Sequence, residues 1–378
     1  MYEKVSFRAA EDYSYERVFK AVESVFRDIN AHELLGSAKK VVIKPNLVIR
    51  RPPEACATTH PAVLAAVLKL LEPYDAEVIV AETPGGVFNE SVLKALYRTT
   101  GVEKAATDGG ASLNFDTSSR PVPSKLHEAA ADFNILSAIA DADLVINIAK
   151  LKTHTLTTLS AAVKNMFGAV PGLQKFEMHA RFPEPECFCA MVVELTHTIS
   201  PQINIVDGIY GMEGNGPNNG DRRFFGAVFG SRSPFCCDVV CREFLGLPRD
   251  GVPMLNEAAR RGFCPANFSE LELCGDTDRW EKLRGRDLKL PDTVNGSVIT
   301  KLTHAFGGRL NRLFEPRPVV TRACVGCGEC ASYCPAGRIK VVNRRAVIDH
   351  DGCIRCFCCQ ELCKHNAIRI KRAGVLKL

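Results

Sequence analysis

Val41-Val42-Ile43-Lys44-Pro45-Asn46 is the stretch from which the fold can be read. Three consecutive β-branched residues with no polar alternation make a short buried strand, which stops at Lys44-Pro45-Asn46. His60-Pro61 then opens a helix, with proline at its first position and apolar residues over 63–71, and 77–81 forms the next strand. Strand, helix, strand in this order is the unit of a parallel sheet. Working outward, 13–35 reads as an amphipathic helix, and Glu82-Thr83-Pro84-Gly85-Gly86 leads to Asn89, which caps a helix reaching about residue 97. Strand 144–148 runs into Lys150-Leu151-Lys152-Thr153-His154 and a helix holding Lys164-Asn165. Strand 203–206 ends at Asp207-Gly208, and strand 227–229 precedes a helix over 234–245. The expected fold is α/β, a mostly parallel open sheet with helices on both faces, over residues 1–275. Residues 276–318, with Gly307-Gly308 and Pro316-Arg317-Pro318, read as a linker and packing segment before a small α+β domain over 319–378.

In open parallel sheets ligands collect outside the carboxyl ends of the strands. Lys44, Asn46, Glu82, Lys152, His154 and Asp207 all read as strand-end residues. Lys44, Lys152, His154 and Lys164 put three cations and one titratable group there, while Gly85 and Gly86 leave backbone N–H groups free before a helix, a set that suits carboxylate or phosphate. Crowded or buried lysines lose basicity, which also permits a nucleophile or base at neutral pH. On this reading Lys164, His154 and Lys152 are the catalytic candidates, and Lys44, Asn46, Glu82, Gly85, Gly86, Asn165 and Asp207 the ligand-binding ones. Solvated loop lysines, a structural histidine and an ordinary Asp-Gly turn are the bland alternatives. Asp207 with Glu213 also suggests a cation site.

The C-terminal domain carries Cys324-x2-Cys327-x2-Cys330-x3-Cys334-Pro335 and, 29 residues later, Cys353-x2-Cys356-x2-Cys359-x3-Cys363. Ile339 and Ile368 share the offset, so the segment is an internal duplication. Three ligands from one tight loop and a fourth from the other run is the ligation of paired cubane clusters. Cys324, Cys327, Cys330 and Cys363 should hold one 4Fe-4S cluster, and Cys353, Cys356, Cys359 and Cys334 the other. Zinc ribbons also use paired C-x2-C motifs, but not this doubled spacing. Residues 321–372 carry ten Lys/Arg against four Asp/Glu, and that surplus offsets the roughly −4 charge of eight thiolates on two oxidised cores. The stretch 321–370 resembles the bacterial two-cluster ferredoxins. It departs from them in Lys364, where proline is usual, and in Cys358, a thiol beside ligand Cys359.

With 17 Cys in 378 residues, over half of them in this one stretch, metal ligation is a better reading than a disulfide framework. Cys187-x-Cys189 and Cys236-Cys237-x3-Cys241 suggest a third metal site, against the alternative of buried free thiols. No apolar run is long enough to span a membrane, and the N-terminus lacks a signal core, which gives the expectation of a cytoplasmic protein without membrane contact. A net charge of +5 without a Lys/Arg block gives no nucleic-acid partner. No intact G-x-G-x-x-G, Walker A, G-x-S-x-G or H-E-x-x-H motif is present.

Over residues 39–247 the motifs Val41–Asn46, Thr58-Thr59-His60, Glu82-Thr83-Pro84-Gly85, the run 146–154, 163–168, and Asp207-Gly208-Ile209-x-Gly211-Met212-Glu213-Gly214-x-Gly216-Pro217 resemble the domain-of-unknown-function family 362. That family occurs alone or fused to ferredoxin modules, and it brings no settled reaction. A fainter resemblance, His154, Lys164 and Pro171-Gly172, is to the nickel-pincer lactate racemases, as fold kinship only, since Ala161-Ala162-Val163 stands where those enzymes have glycines. The functional expectation is an iron–sulfur oxidoreductase that passes electrons from two clusters to an anionic substrate or an additional organic cofactor in the α/β domain, with a redox partner protein. The alternatives are an electron carrier without catalysis, and a non-redox enzyme with structural or sensing clusters.

Overall fold

Val41 and Ile43 turn to one side of their strand and Val42 to the other, and all three are fully buried. A strand apolar on both faces needs a layer on each, and the chain supplies two. The computed structural model describes residues 2–285, 287–294 and 315–372. Its strands are β1 (Val5–Ala9), β2 (Lys40–Pro45), β3 (Glu77–Val80), β4 (Ser112–Leu113), β5 (Ser119–Pro123), β6 (Asp132–Leu136), β7 (Leu144–His154), β8 (Thr158–Ser160), β9 (Ile203–Glu213), β10 (Asp221–Ser231) and β11 (Leu273–Gly275). The main sheet runs β11-β1-β10-β9-β7-β2-β3-β4, with β8 added to β7, while β5 and β6 pair apart as a hairpin. Only β10 and β8 run against the others, so the sheet is mixed and mostly parallel.

One face carries Val41, Ile43, Ile146, Ile148, Ile203 and Ile205 beneath helices Tyr15–Asp28 and Pro61–Leu71. Val42, Val145, Ala149, Val206 and Phe229 face the other way, against helices Pro185–Ile199, Pro234–Phe244 and Pro253–Arg260. The helix starts are locally encoded. His60 Nδ1 accepts the Ala62 N–H at 3.2 Å, Asn89 Oδ1 that of Val92 at 2.9 Å, and Ser233 Oγ that of Cys236 at 3.2 Å.

Four sequence expectations change. The helix expected over 13–35 breaks at Asn30, which adopts a left-handed conformation between Tyr15–Asp28 and Ala31–Leu35. β7 does not stop at Ile148 but continues to His154, because β8 pairs with Lys152–His154 on the edge β2 has left while β9 pairs as far as Lys152 on the other. Asp207 likewise lies within β9 and not at its end. Pro316-Arg317-Pro318 begins strand β12 (Pro316–Val320); Gly307-Gly308 lies outside the described residues.

The C-terminal module adds β13 (Ile339–Val342), β14 (Arg345–Ile348) and β15 (Ile368–Arg372), with β12 paired to β15 and β13 to β14. Each cysteine run holds one short helix, Glu329–Ser332 or Cys358–Glu361.

Asp207 holds the centre of the α/β domain together. Lys150 Nζ donates to its Oδ2 at 2.9 Å, the Tyr13 hydroxyl to its Oδ1 at 2.7 Å, and the His60 N–H to Oδ2 at 3.0 Å. Both charges are 0% exposed, and Tyr13 stacks on His60 at 3.6 Å. Glu213, six residues on, pairs instead with Arg223 at 2.6 Å. Removing one partner strands the other charge in a dry interior, so Lys150→Met is expected to cost about 3–5 kcal/mol. Chemical denaturation of the holoprotein measures it, and an unchanged midpoint would refute the assignment.

Candidate functional site

The crevice lies where β2, β3 and β7 end. Its floor is an ion pair, Lys44 Nζ to Glu82 Oε2 at 2.7 Å, with the side chains 1% and 2% exposed. Lys44 also donates to Asn165 Oδ1 at 3.1 Å and to the Pro45 carbonyl at 3.0 Å, while Glu82 accepts the Leu47 and Thr83 N–H groups at 3.1 and 2.8 Å. Gly168 closes over this pair. A Cβ there would sit 2.5 Å from both Glu82 Oε1 and Lys44 Nζ, so only glycine allows the approach. Asn165 links floor to wall: its Oδ1 accepts from Asn46 Nδ2 at 3.0 Å, its Nδ2 donates to Asn147 Oδ1 at 2.8 Å, and Asn46 Oδ1 accepts from Lys152 Nζ at 2.8 Å. Lys152 gives a second proton to the Ala57 carbonyl at 2.8 Å, which leaves one for a ligand.

Lys164 differs from the other lysines. Its four-residue helix, Ala162–Asn165, is held by Asp238, whose carboxylate accepts the Ala162 and Val163 N–H groups at 2.7 and 3.0 Å. The half-buried ammonium has no hydrogen-bond or ion-pair partner among the described residues. It lies over the ring of Phe167, 4.6 Å from the centroid, with Phe188 at 5.7 Å. Burial lowers its basicity, opposed by Glu361. Burial also pushes Lys152 down to about 7, helped by Lys150 and Lys164.

His154 is fixed by backbone. Its Nδ1 accepts the Leu156 N–H at 3.1 Å, so the neutral ring carries its proton on Nε2, and burial with Lys164 and Lys152 nearby keeps it neutral. Nε2 faces Glu361 Oε1 at 3.6 Å, an oxygen without a hydrogen-bond partner among the described residues. Burial holds the Glu361 carboxyl up at about 7, against the pull of Lys164 and Lys152.

Glu361 belongs to the C-terminal module, which roofs the crevice. Asn218 Nδ2 donates to the Glu361 carbonyl at 3.0 Å, Asn219 Nδ2 to that of Gln360 at 2.6 Å, and Gln360 Nε2 to that of Asn215 at 3.1 Å. Tyr333 stacks on Phe176 with centroids 5.4 Å apart, and its ring passes 3.6 Å from where a Gly86 side chain would begin. Gly86, at φ +95°, therefore admits a neighbouring domain. It is not the open N–H cradle expected from Gly85-Gly86, and the helix that follows is capped by its own Asn89.

Of the sequence-derived residues, Asn46, Glu82, Gly85, Lys152, His154, Lys164 and Asn165 line the crevice. Lys44 lies one layer beneath, Gly86 faces Tyr333, and Asp207 is outside. Cys358, Glu361, Leu362, Lys175, Phe176 and His179 line it too, beyond the residues expected from the sequence. Nothing in the sequence marked Lys175, which ties Thr83 to Val170 by donating to their carbonyls at 2.6 and 2.7 Å. Glu361 was hidden between two cysteines, where it counted only as charge.

The cysteines sort into two cradles. One is lined by Cys324, Cys327, Cys330 and Cys363, the other by Cys334, Cys353, Cys356 and Cys359, the same two sets that the repeat pairs. In each, backbone N–H groups aim at sulfur: Ala346 at Cys324 (3.4 Å) and Ala367 at Cys363 (3.2 Å), then Arg338 at Cys334 (3.3 Å) and Arg355 at Cys353 (3.4 Å). Such donors stabilise thiolate ligands of a cluster, so the donor set fits. No three His, Cys, Asp or Glu groups among the described residues converge as a single ion requires. Cys187 is exposed and Cys189 buried, while Cys236, Cys237 and Cys241 are buried on one helix. Cys358 belongs to neither cradle and faces the crevice.

Residues 41–243, more than half the chain, match the family described as Domain of unknown function (DUF362). The chain belongs to that family. Residues 319–364 match the 4Fe-4S dicluster domain, which makes the C-terminal module an iron–sulfur electron-transfer module. A thylakoid-associated protein of Synechocystis sp. is 28% identical over 272 residues, 70% of this chain and 81% of that protein. A component of an ion-translocating oxidoreductase complex of Methanosarcina acetivorans is 40% identical over 57 residues, 15% of this chain and 22% of that component. The lactate racemase apoprotein of Thermoanaerobacterium thermosaccharolyticum superposes with a TM-score of 0.43 at 13% identity, over 64% of this chain and 57% of that one, too distant to bear on the reaction. No helix among the described residues is long and apolar enough to cross a membrane.

Two outcomes follow from this geometry. Cys359→Ser should lose or convert one cluster, while Cys358→Ser should keep full iron and sulfide; bleaching of cluster absorbance in Cys358→Ser would overturn the assignment. Second, Lys152 near 7 predicts pH-dependent anion affinity. Its charge is present below that value and lost above it, while Lys164 and His154 face it and Glu361 adds negative charge in the same direction. The affinity of the native protein for oxalate should drop about tenfold between pH 6 and pH 8. A flat profile in calorimetric titration would show that Lys152 does not meet the anion.

Proposed function

We propose that this chain is an iron–sulfur oxidoreductase in which two 4Fe-4S clusters, held by the cysteine sets above, serve an anionic substrate or a second organic cofactor bound in the crevice between the α/β domain and the ferredoxin-type module. One observation carries the reading. The short helix Cys358–Glu361 bears Cys359 in a cluster cradle and, in the same turn, Cys358 and Glu361 in the crevice wall. Cluster and ligand site are thus separated by one helical turn. A relay that merely docks elsewhere has no need of an ammonium without a partner, aimed into a roofed cavity beside that turn.

In this reading Lys164 and the third N–H of Lys152 hold the anion, and the Phe167 ring under Lys164 keeps the ammonium from settling on a protein carboxylate. His154, neutral with its proton on Nε2, offers that N–H as a hydrogen-bond donor to the substrate at the crevice wall. Leu362, Phe176 and Tyr333 shield the site from water. The clusters, when bound, supply electrons one at a time from two centres, which matches the two that most organic reductions take. The α/β domain over 1–275 supplies the ligand site, 319–378 the electron supply, and a redox partner protein in the cytoplasm feeds it.

Anaerobically purified protein tests this directly. Lys164→Ala should weaken oxalate binding at least about tenfold, the range for a charge-assisted contact, while iron and sulfide stay at wild-type levels. Native mass spectrometry under the same conditions would reveal a retained organic cofactor. If wild-type protein binds neither a small anion nor a cofactor, the chain is an electron carrier and the crevice is structural.

A further inference from the structure

The hairpin β13–β14 has one face packed on the cluster cradles and one face free. Ile339 and Ala346 are buried, at 7% and 4% exposure, among the cradle cysteines. Ala346 lines the Cys324 cradle, and Ile339 and Ile348 line the Cys353 cradle, so this two-stranded sheet backs both. The register places Lys340 opposite Val347 and Val342 opposite Arg345, which by the two-residue alternation of strands share the outer face. All four are exposed, with Val342 at 51% and Val347 at 52%. A valine beside a cation, twice over, is an apolar contact inside a positive rim.

The neighbouring loop extends the surface. Val325 is 49% exposed, Cys327 is exposed, and the loop is pressed against the hairpin turn, where a Gly326 side chain would meet the Arg344 carbonyl at 2.5 Å. Arg322 and Arg344 are exposed on the same module, and Arg338, also exposed, is paired with Asp349 at 3.2 Å. Glu329, the one acid between residues 321 and 348, is paired with Lys364. A single peptide layer separates outer face from sulfur, because the Ala346 N–H itself donates to Cys324 Sγ.

We propose that this outer face, Lys340, Val342, Arg345 and Val347 with Val325 and Arg344, is the docking surface for an acidic one-electron carrier protein, and that electrons enter there at the Cys324 cluster. Charge complementarity selects the partner: Lys340, Arg344 and Arg345 around exposed valines favour a carrier with carboxylates around its own redox centre. In each encounter the reduced carrier is oxidised by one electron and the cluster is reduced by one, with no bond made or broken. The other cradle shares Cys359 with the helix that bears Cys358 and Glu361 in the crevice wall, so the hairpin is the entrance and that helix the exit. The inference rests on the clusters of the proposed function and not on the identity of the crevice ligand.

The test uses the anaerobic full-length protein and a reduced acidic flavodoxin as probe, followed by stopped-flow absorbance. The charge reversal Lys340→Glu with Arg344→Glu should lower the second-order rate at least about tenfold, and the wild-type rate should fall steeply between about 20 and 500 mM NaCl. Reduction by dithionite, a small reductant that needs no docking, should be unaffected, which separates loss of docking from loss of clusters. Equal rates for the reversal variant and wild type, or a salt-independent rate, would overturn the proposal. Failure of dithionite to reduce the wild-type protein would instead overturn the cluster assignment beneath it.

Discussion

A deeply buried ion pair sets the form of the crevice. Lys44 and Glu82 come from the ends of adjacent parallel strands, and neither tolerates the interior without the other. Their remaining hydrogen-bonding capacity is taken up by Asn165, the Pro45 carbonyl and the N–H groups of Leu47 and Thr83, which fixes three strand-end segments at once. Asn165 passes the constraint on to Asn46, and Asn46 to Lys152. One desolvated contact thus orients a chain of side chains whose last member faces the cavity. Closing that floor requires glycine at position 168, since no side chain fits above the pair.

The layered α/β architecture was legible because it depends on local rules. Strands covered on both faces read as apolar runs, and proline and capping residues mark where helices start. The failures have a common cause. Lys150, Lys152 and His154 looked like loop residues because charge normally ends a strand, yet β7 carries them through the sheet with a partner for each. Asp207 looked like a strand-end ligand for the same reason. Its carboxylate is consumed by Lys150, Tyr13 and His60, which lie far apart in the chain. Long-range satisfaction of polar groups leaves no short sequence pattern.

The crevice was half legible. Its floor and one wall come from the α/β domain, where lysines and asparagines cluster near strand ends. The roof comes from a module whose cysteines account for nearly all of its pattern, and Glu361 and Cys358 were masked by the ligands on either side of them. The two sets of cradle cysteines were legible for the opposite reason: their spacing lies in the chain itself, and duplication writes it twice.

Cys358 and Glu361 stand between the cradle cysteines Cys356, Cys359 and Cys363, which ties the shape of the crevice to that of the cradles. A loop folded around a cluster owes its conformation to that cluster, as other small metal-bound segments do. Were the second cradle emptied, the wall that carries Glu361, Cys358 and Leu362 would lose that support. Cavity wall and cradle share one turn of helix, so neither changes shape without the other.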